Sequence, residues 1–137
     1  TIEMAEAIGV DDVFVFGHRT DSLEKLRAVG YQPRWIAQQN AELQAVLQAI
    51  SLGHFNPGEP GRYKSLVDNL LQHDRYFLLA DFADYVETQQ RVDRQYSNKL
   101  GWQAKVARNI AGMGGFSSDR TVQTYVERVW SRKSLES

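Results

Sequence analysis

Cysteine is absent from the 137 residues. That excludes disulfides, thiolate chemistry and cysteine-based zinc sites, and makes a reducing cytoplasm the natural compartment. No run approaches eighteen consecutive apolar residues, and the first twenty lack a basic stretch followed by an apolar one, so a soluble, unexported chain is expected. An excess of charge is missing too. Sixteen Lys and Arg face seventeen Asp and Glu. No global field is left to hold nucleic acid or an anionic membrane. The chain starts at Thr1 rather than Met, directly in a pattern that reads as ordered. Further residues are therefore expected upstream.

What is present is an apolar content of 42% and an aromatic content of 11%, enough to fold, with one core as the default expectation and two small ones as the alternative. Charge is unevenly spread. Residues 1–85 hold seven basic and twelve acidic side chains, residues 86–137 nine and five. Solvated helix faces account for this most simply.

Ile2 to Ile8 reads as a short helix stopped by Gly9. Val13-Phe14-Val15-Phe16 follows, between Asp11-Asp12 and Gly17. Four apolar residues of β-branched and aromatic type predict a strand buried on both faces, and hence an α/β fold. A lone strand makes no sheet, so its partners are expected outside this sequence or in a second copy.

The remaining signals are helical. Asp21 with Glu24 resembles a capping box before Leu23, Leu26 and Val29, with Gly30 as the stop. Asn40 is placed to cap a helix carrying Leu43, Val46, Leu47 and Ile50, ending at Gly53. The stretch from Gly53 to Gly61, holding Pro57 and Pro60, reads as a loop. Tyr63, Leu66, Val67, Leu70 and Leu71 form the next stripe. Tyr76 to Ala80 is compatible with a buried strand or an apolar turn. Asp81 is expected to open a long helix with Phe82, Tyr85, Val86, Gln89, Val92 and Tyr96 on one face. A further helix carries Trp102, Val106 and Ile110 and breaks at Gly112, Gly114 and Gly115. The last begins near Ser118 and carries Val122, Tyr125, Val126, Val129 and Trp130.

The search for chemistry returns little. His18, His54 and His73 lie far apart, without metal-ligand spacing; only His73 has an adjacent carboxylate, Asp74, able to orient its ring. Ser117 and Ser118 beside Asp119 have no local histidine and read as a helix cap rather than a nucleophile. Gly112, Gly114 and Gly115 before Arg120 could cradle a phosphate, yet no strand precedes them and no phosphate-loop spacing is met, so a helix corner is favoured. Glu3, Glu6, Asp11, Asp12, Asp81 and Asp84 cannot be paired for acid and base work without a fold. Arg91, Arg94, Lys99, Lys105 and Arg108 form no compact patch. No catalytic, cofactor-binding or metal residue is assigned.

Taken together, several segments resemble the α-glucan (glycogen or maltodextrin) phosphorylases. Thr1-Ile2-Glu3-Met4-Ala5-Glu6, Gly9 and Val13 to Gly17 are similar to the family's N-V-E-M-x-E…G…F-I-F-G stretch. Leu26-Arg27 with Gly30-Tyr31, and Gly53-His54-Phe55-Asn56-Pro57, resemble a helix with its G-Y turn and an S-G-x-F-S-P loop. Asp81-Phe82, Tyr85-Val86, Gln89, Val92-Asp93 and Tyr96 resemble a D-F/Y-x-x-Y-V-x-x-Q-x-x-V-x-x-x-Y run. Trp102, Asn109-Ile110-Ala111, Phe116-Ser117-Ser118-Asp119-Arg120-Thr121, Tyr125 and Trp130 complete the order. Thr1 departs from the family's usual Asn, and Gly115 stands where a Lys or another larger residue is common.

The resemblance implies a glycosyltransferase-B architecture. It makes residues 1–137 the C-terminal part of the C-terminal, Rossmann-like domain, with trailing helices crossing toward the N-terminal domain. It further implies a cytoplasmic, homodimeric enzyme that uses pyridoxal 5′-phosphate and inorganic phosphate to release glucose 1-phosphate from terminal α-1,4-glucosidic bonds. The family's cofactor lysine sits in a G-T-G-N-M-K motif that does not occur here, so cofactor-binding residues are expected upstream. Alternatives are a free-standing helical interaction module derived from such a tail, and a small separate enzyme using His73 or Ser118.

Overall fold

A computed structural model describes residues 2–130. Among the described residues eight α-helices run in chain order: α1 (Ile2–Ile8), α2 (Thr20–Ala28), α3 (Pro33–Gln39), α4 (Ala41–Ser51), α5 (Lys64–Gln72), α6 (Leu78–Tyr96), α7 (Lys99–Gly112) and α8 (Ser118–Tyr125). Short 3-10 turns occupy Val10–Asp12 and Met113–Phe116, and α8 continues as a π-helical turn over Val126–Trp130.

No strand occurs among the described residues, which corrects the α/β expectation. Val13 is extended, at φ −122° and ψ 147°, but residues 13–16 form no ladder. Nor are they buried on both sides: Val15 is 52% and Phe16 47% exposed. Their aromatic members pack on helices instead. Phe14 stacks on Trp102 of α7 at 6.1 Å, and Phe16 meets Tyr85 of α6 edge-on at 5.2 Å. An apolar run signals burial of side chains, and helices supply the contact as readily as a sheet.

The chain divides into two compact units. One is Phe16–Gln90, the other residues 2–15 with 91–130.

In Phe16–Gln90 the core is Ala37, Leu43, Leu47, Val67 and Leu79, flanked by Ile36, Ile50, Leu70, Leu71 and Phe82. Each large side chain buried there is worth roughly 1.5–3 kcal/mol. The apolar spacing of α4 puts Leu43 and Leu47 on its inner face, as the sequence predicts. Asn40 ends α3 and caps α4, its Oδ1 accepting from the Leu43 N–H at 3.0 Å. Helix α3 went unread in the sequence because it carries only Ile36 and Trp35 as large apolar residues; Pro33 in its first turn presets φ for the helix. Gly53, at φ +75°, lets the loop fold back on itself, since a Cβ there would lie 2.3 Å from Pro60 Cα.

Two helix starts differ from expectation. Helix α2 begins at Thr20 with Asp21 inside the first turn, and Arg19 at the cap position makes no side-chain capping bond, so the capping box does not form. Helix α6 begins at Leu78, three residues before Asp81, because Asp74 caps it: Leu78 N–H and Leu79 N–H donate to its two carboxylate oxygens, each at 2.8 Å. Tyr76 to Ala80 is thus neither a strand nor wholly a turn. Phe77, at φ +58°, closes the loop and the helix starts after it.

In the second unit α1 packs against α7 so closely that a Cβ on Gly112 would approach Ile8 Cγ1 to 2.9 Å. Asn98 caps α7 and Ser117 caps α8, through the N–H groups of Gly101 and Arg120 at 3.1 and 3.3 Å. Among the described residues no helix is long and apolar enough to cross a membrane.

Candidate functional site

Four carboxylates gather the polar contacts, in three places. The first, Asp12, closes the Val10–Asp12 turn onto α7. Arg108 donates through Nε and Nη2 at 2.5 and 2.7 Å, Lys105 Nζ lies 3.4 Å from Oδ1, and Asn109 Nδ2 donates to the Asp12 carbonyl at 2.9 Å. Lys105 also donates to the Asp11 carbonyl, and its ammonium sits 5.4 Å from the centre of the Phe14 ring. The Arg108 hydrogen bond, against a smaller opposing effect of burial, lowers the Asp12 pKa to about 2. Asp12 raises that of Arg108 in return. The pair stays ionised at neutral pH and has no proton to exchange there.

The second gathering lies on α6, in the other unit. Gly17 N–H donates to Asp84 Oδ2 at 2.6 Å, and His18 N–H to Asp81 Oδ1 at 2.8 Å. His18 Nδ1 is 2.7 Å from the same oxygen. The turn needs Gly17, which adopts φ +90° and faces the Asp81 carboxylate, 2.7 Å from where a Cβ would stand. Sequence reasoning left His18, Asp81 and Asp84 apart; the fold joins them into a backbone clamp. With the two oxygens engaged on N–H groups, the histidine and carboxylates serve to hold a turn.

The third is Asp74, 2% exposed and left-handed at φ +29°. Besides capping α6 it accepts the Tyr31 hydroxyl at 2.6 Å, and the Tyr31 ring lies 4.7 Å from that of Phe77, over which Arg27 sits. Desolvation, then the hydrogen bond to Asp74, pushes the Tyr31 pKa well up. His73, whose ring Asp74 was the one carboxylate placed to orient, instead ends α5, its N–H donating to the Asn69 carbonyl. Tyr31 and Asp74 were missed because 43 residues separate them. The one signal was an acid four residues before an apolar helix start.

Other candidates remain apart. His54 stands edge-on to Phe55. Ser118 and Asp119 lie exposed in the first turn of α8, and Gly115 is close to Arg120 at a helix corner. Glu3 and Glu6 are exposed on α1. Among the described residues no three His, Asp or Glu side chains gather as a metal site.

The carbohydrate phosphorylase family profile matches residues 1–132. The chain belongs to that family. It is 42% identical over 135 residues to a glycogen phosphorylase of Haemophilus influenzae, which covers 98% of this chain and 16% of the relative. The brain form of glycogen phosphorylase from Mus musculus is 41% identical and the muscle form from Homo sapiens 39%, each over 129 residues, 94% of this chain and 15% of the relative. The chain thus spans about one sixth of the length of these curated relatives.

Pyridoxal phosphate, implied by the resemblance, requires an amine shielded from water and free to react. The described lysines do not fit. Lys25, Lys64 and Lys99 are exposed, Lys64 being paired with Asp68 at 2.7 Å. Lys105 is engaged by Asp11 and Asp12.

Proposed function

We infer that residues 1–137 serve as the C-terminal part of the C-terminal domain of an α-glucan phosphorylase, a cytoplasmic homodimer that phosphorolyses terminal α-1,4-glucosidic bonds and releases glucose 1-phosphate. What carries this reading is the combination of near-complete coverage of this chain with coverage of about one sixth of each relative. In it, pyridoxal phosphate, which supplies proton transfer through its phosphate, is held by residues outside this chain, as are inorganic phosphate and glucan.

This chain's own part is positioning. Asp12 fixes residues 10–13 on α7, and Asp81 with Asp84 fixes residues 17 and 18 on α6. The trailing helix contributes a docking face toward the N-terminal domain. Val122, Tyr125, Val129 and Trp130 are all at least half exposed. Covering what each still exposes by the remainder of the phosphorylase chain would contribute roughly 1 kcal/mol or somewhat more per side chain.

The test is a polypeptide extended upstream of Thr1. It should take up pyridoxal phosphate and form glucose 1-phosphate from maltodextrin and phosphate; failure of both would overturn the reading.

A further inference from the structure

The corner between α5 and α6 holds both of the left-handed residues that are not glycine among those described, Asp74 at φ +29° and Phe77 at φ +58°. Such backbone is strained, more so for Phe than for Asp, and persists only where the surroundings over-determine it. Here they do. Asp74, 2% exposed, accepts from the Tyr31 hydroxyl and from the Leu78 and Leu79 N–H groups. Phe77, 5% exposed, packs on the Tyr31 ring at 4.7 Å and donates its N–H to the Asp74 carbonyl at 2.9 Å. Glycine would turn the same corner with less strain. Asp74 and Phe77 instead anchor it from below.

Between these anchors stand Arg75 and Tyr76, both in solvent, with Tyr76 80% exposed. The Arg75 guanidinium lies 5.9 Å from the centre of the Tyr76 ring, and that of Arg27, also exposed, lies 5.0 Å from the Phe77 ring. Neither arginine has a carboxylate partner among the described residues, whereas Arg62 and Lys64 are paired with Glu59 and Asp68. The acid beside Arg75 in sequence, Asp74, is buried and engaged with Tyr31 and α6. The corner is thus cationic and aromatic at once. Arginine and tyrosine dominate binding at protein interfaces, and a guanidinium grips a carboxylate through two parallel hydrogen bonds. A turn already fixed loses little freedom on docking.

We propose that Arg27, Arg75 and Tyr76 form a docking point for an acidic segment in the remainder of the phosphorylase chain. The proposal rests on the reading of this chain as part of an α-glucan phosphorylase. Size favours an occupant in the same polypeptide. One turn with two arginines and a tyrosine falls well short of the roughly 800 Å² per partner that a stable complex of separate proteins buries. A tethered segment meets the turn at high effective concentration and needs far less surface. The relatives are about six times as long as this chain, so most of the polypeptide that could reach the corner lies outside it.

The experiment places the photo-cross-linker p-benzoylphenylalanine at position 76 of the extended phosphorylase. Irradiation should join it, within one polypeptide, to a segment outside residues 1–137 that carries Asp or Glu. Arg75→Glu and raised salt should each reduce that product several-fold. Changing the acid so identified to Lys should reduce it likewise in the otherwise unchanged protein and restore it beside Arg75→Glu. In the 137-residue chain Arg75→Glu should leave the thermal melt unchanged, because the side chain is exposed there. A lowered melt would mark Arg75 as an internal contact and overturn the proposal. So would cross-links confined to residues 1–137, a cross-link to a second copy, a joined segment without an acid, or failure of the charge swap. A cross-link in a protein that forms no glucose 1-phosphate sinks only the assigned activity; turnover without the cross-link sinks only the docking point.

Discussion

The Tyr31 hydroxyl donates to Asp74 Oδ2 at 2.6 Å, and that same oxygen accepts the Leu79 N–H at 2.8 Å. One buried carboxylate therefore joins the turn after α2 to the start of α6. Asp74→Ala should destabilise the chain by about 2–3 kcal/mol, since it strands two helix N–H groups and a buried hydroxyl. Tyr31→Phe leaves both caps and should cost about 1 kcal/mol. Urea unfolding of the two variants checks the order; equal losses would refute it.

Asp12 predicts an acid limb. Its pKa falls from 3.8 to about 2 on folding, so its contribution is complete above pH 4 and disappears as pH drops through 2. Asp12→Asn should flatten the stability curve between those values and lower stability at pH 7. Chemical denaturation across that pH range is the measurement, and an unchanged acid limb would refute it.

Glycine substitutions separate backbone strain from collision. Gly9 and Gly17 both have positive φ, but a Cβ at Gly9 meets nothing while one at Gly17 meets Asp81. Gly9→Ala should cost about 1 kcal/mol and Gly17→Ala more, up to about 3. Gly53→Ala should be the most damaging, because the obstacle is the Pro60 backbone. Thermal melts would rank the three.

Trp130 is 63% exposed. Trp130→Ser should change the stability of the 137-residue chain by no more than about 0.5 kcal/mol. In the extended phosphorylase the same change should lower the melting temperature by several degrees. Equal effects in both would remove the docking role of the α8 face.

Legibility in the sequence followed how local each cause was. Asn40 with Leu43 and Leu47 announces α4 within one turn, and Ser117 announces α8 likewise. The family was legible too, because ordered short matches run the length of the chain. Val13 to Phe16 was misread since apolarity reports that side chains find cover, not what covers them; Trp102 and Tyr85 lie about 70 to 90 residues away. The Asp74 cap was hidden by two left-handed residues, Asp74 and Phe77, neither of which is a glycine. The clamp of Asp81 and Asp84 on Gly17 and His18 needed a contact across more than sixty residues.

Asn40 closes α3 and opens α4 with no residue to spare. Such a corner transmits rotation like a keyed shaft. One residue added there would turn the Leu43 and Leu47 stripe by about 100° about the helix axis. Length between residues 33 and 51 is therefore fixed by the helical pitch, and inserted residues are accommodated more readily in the loop after Gly53.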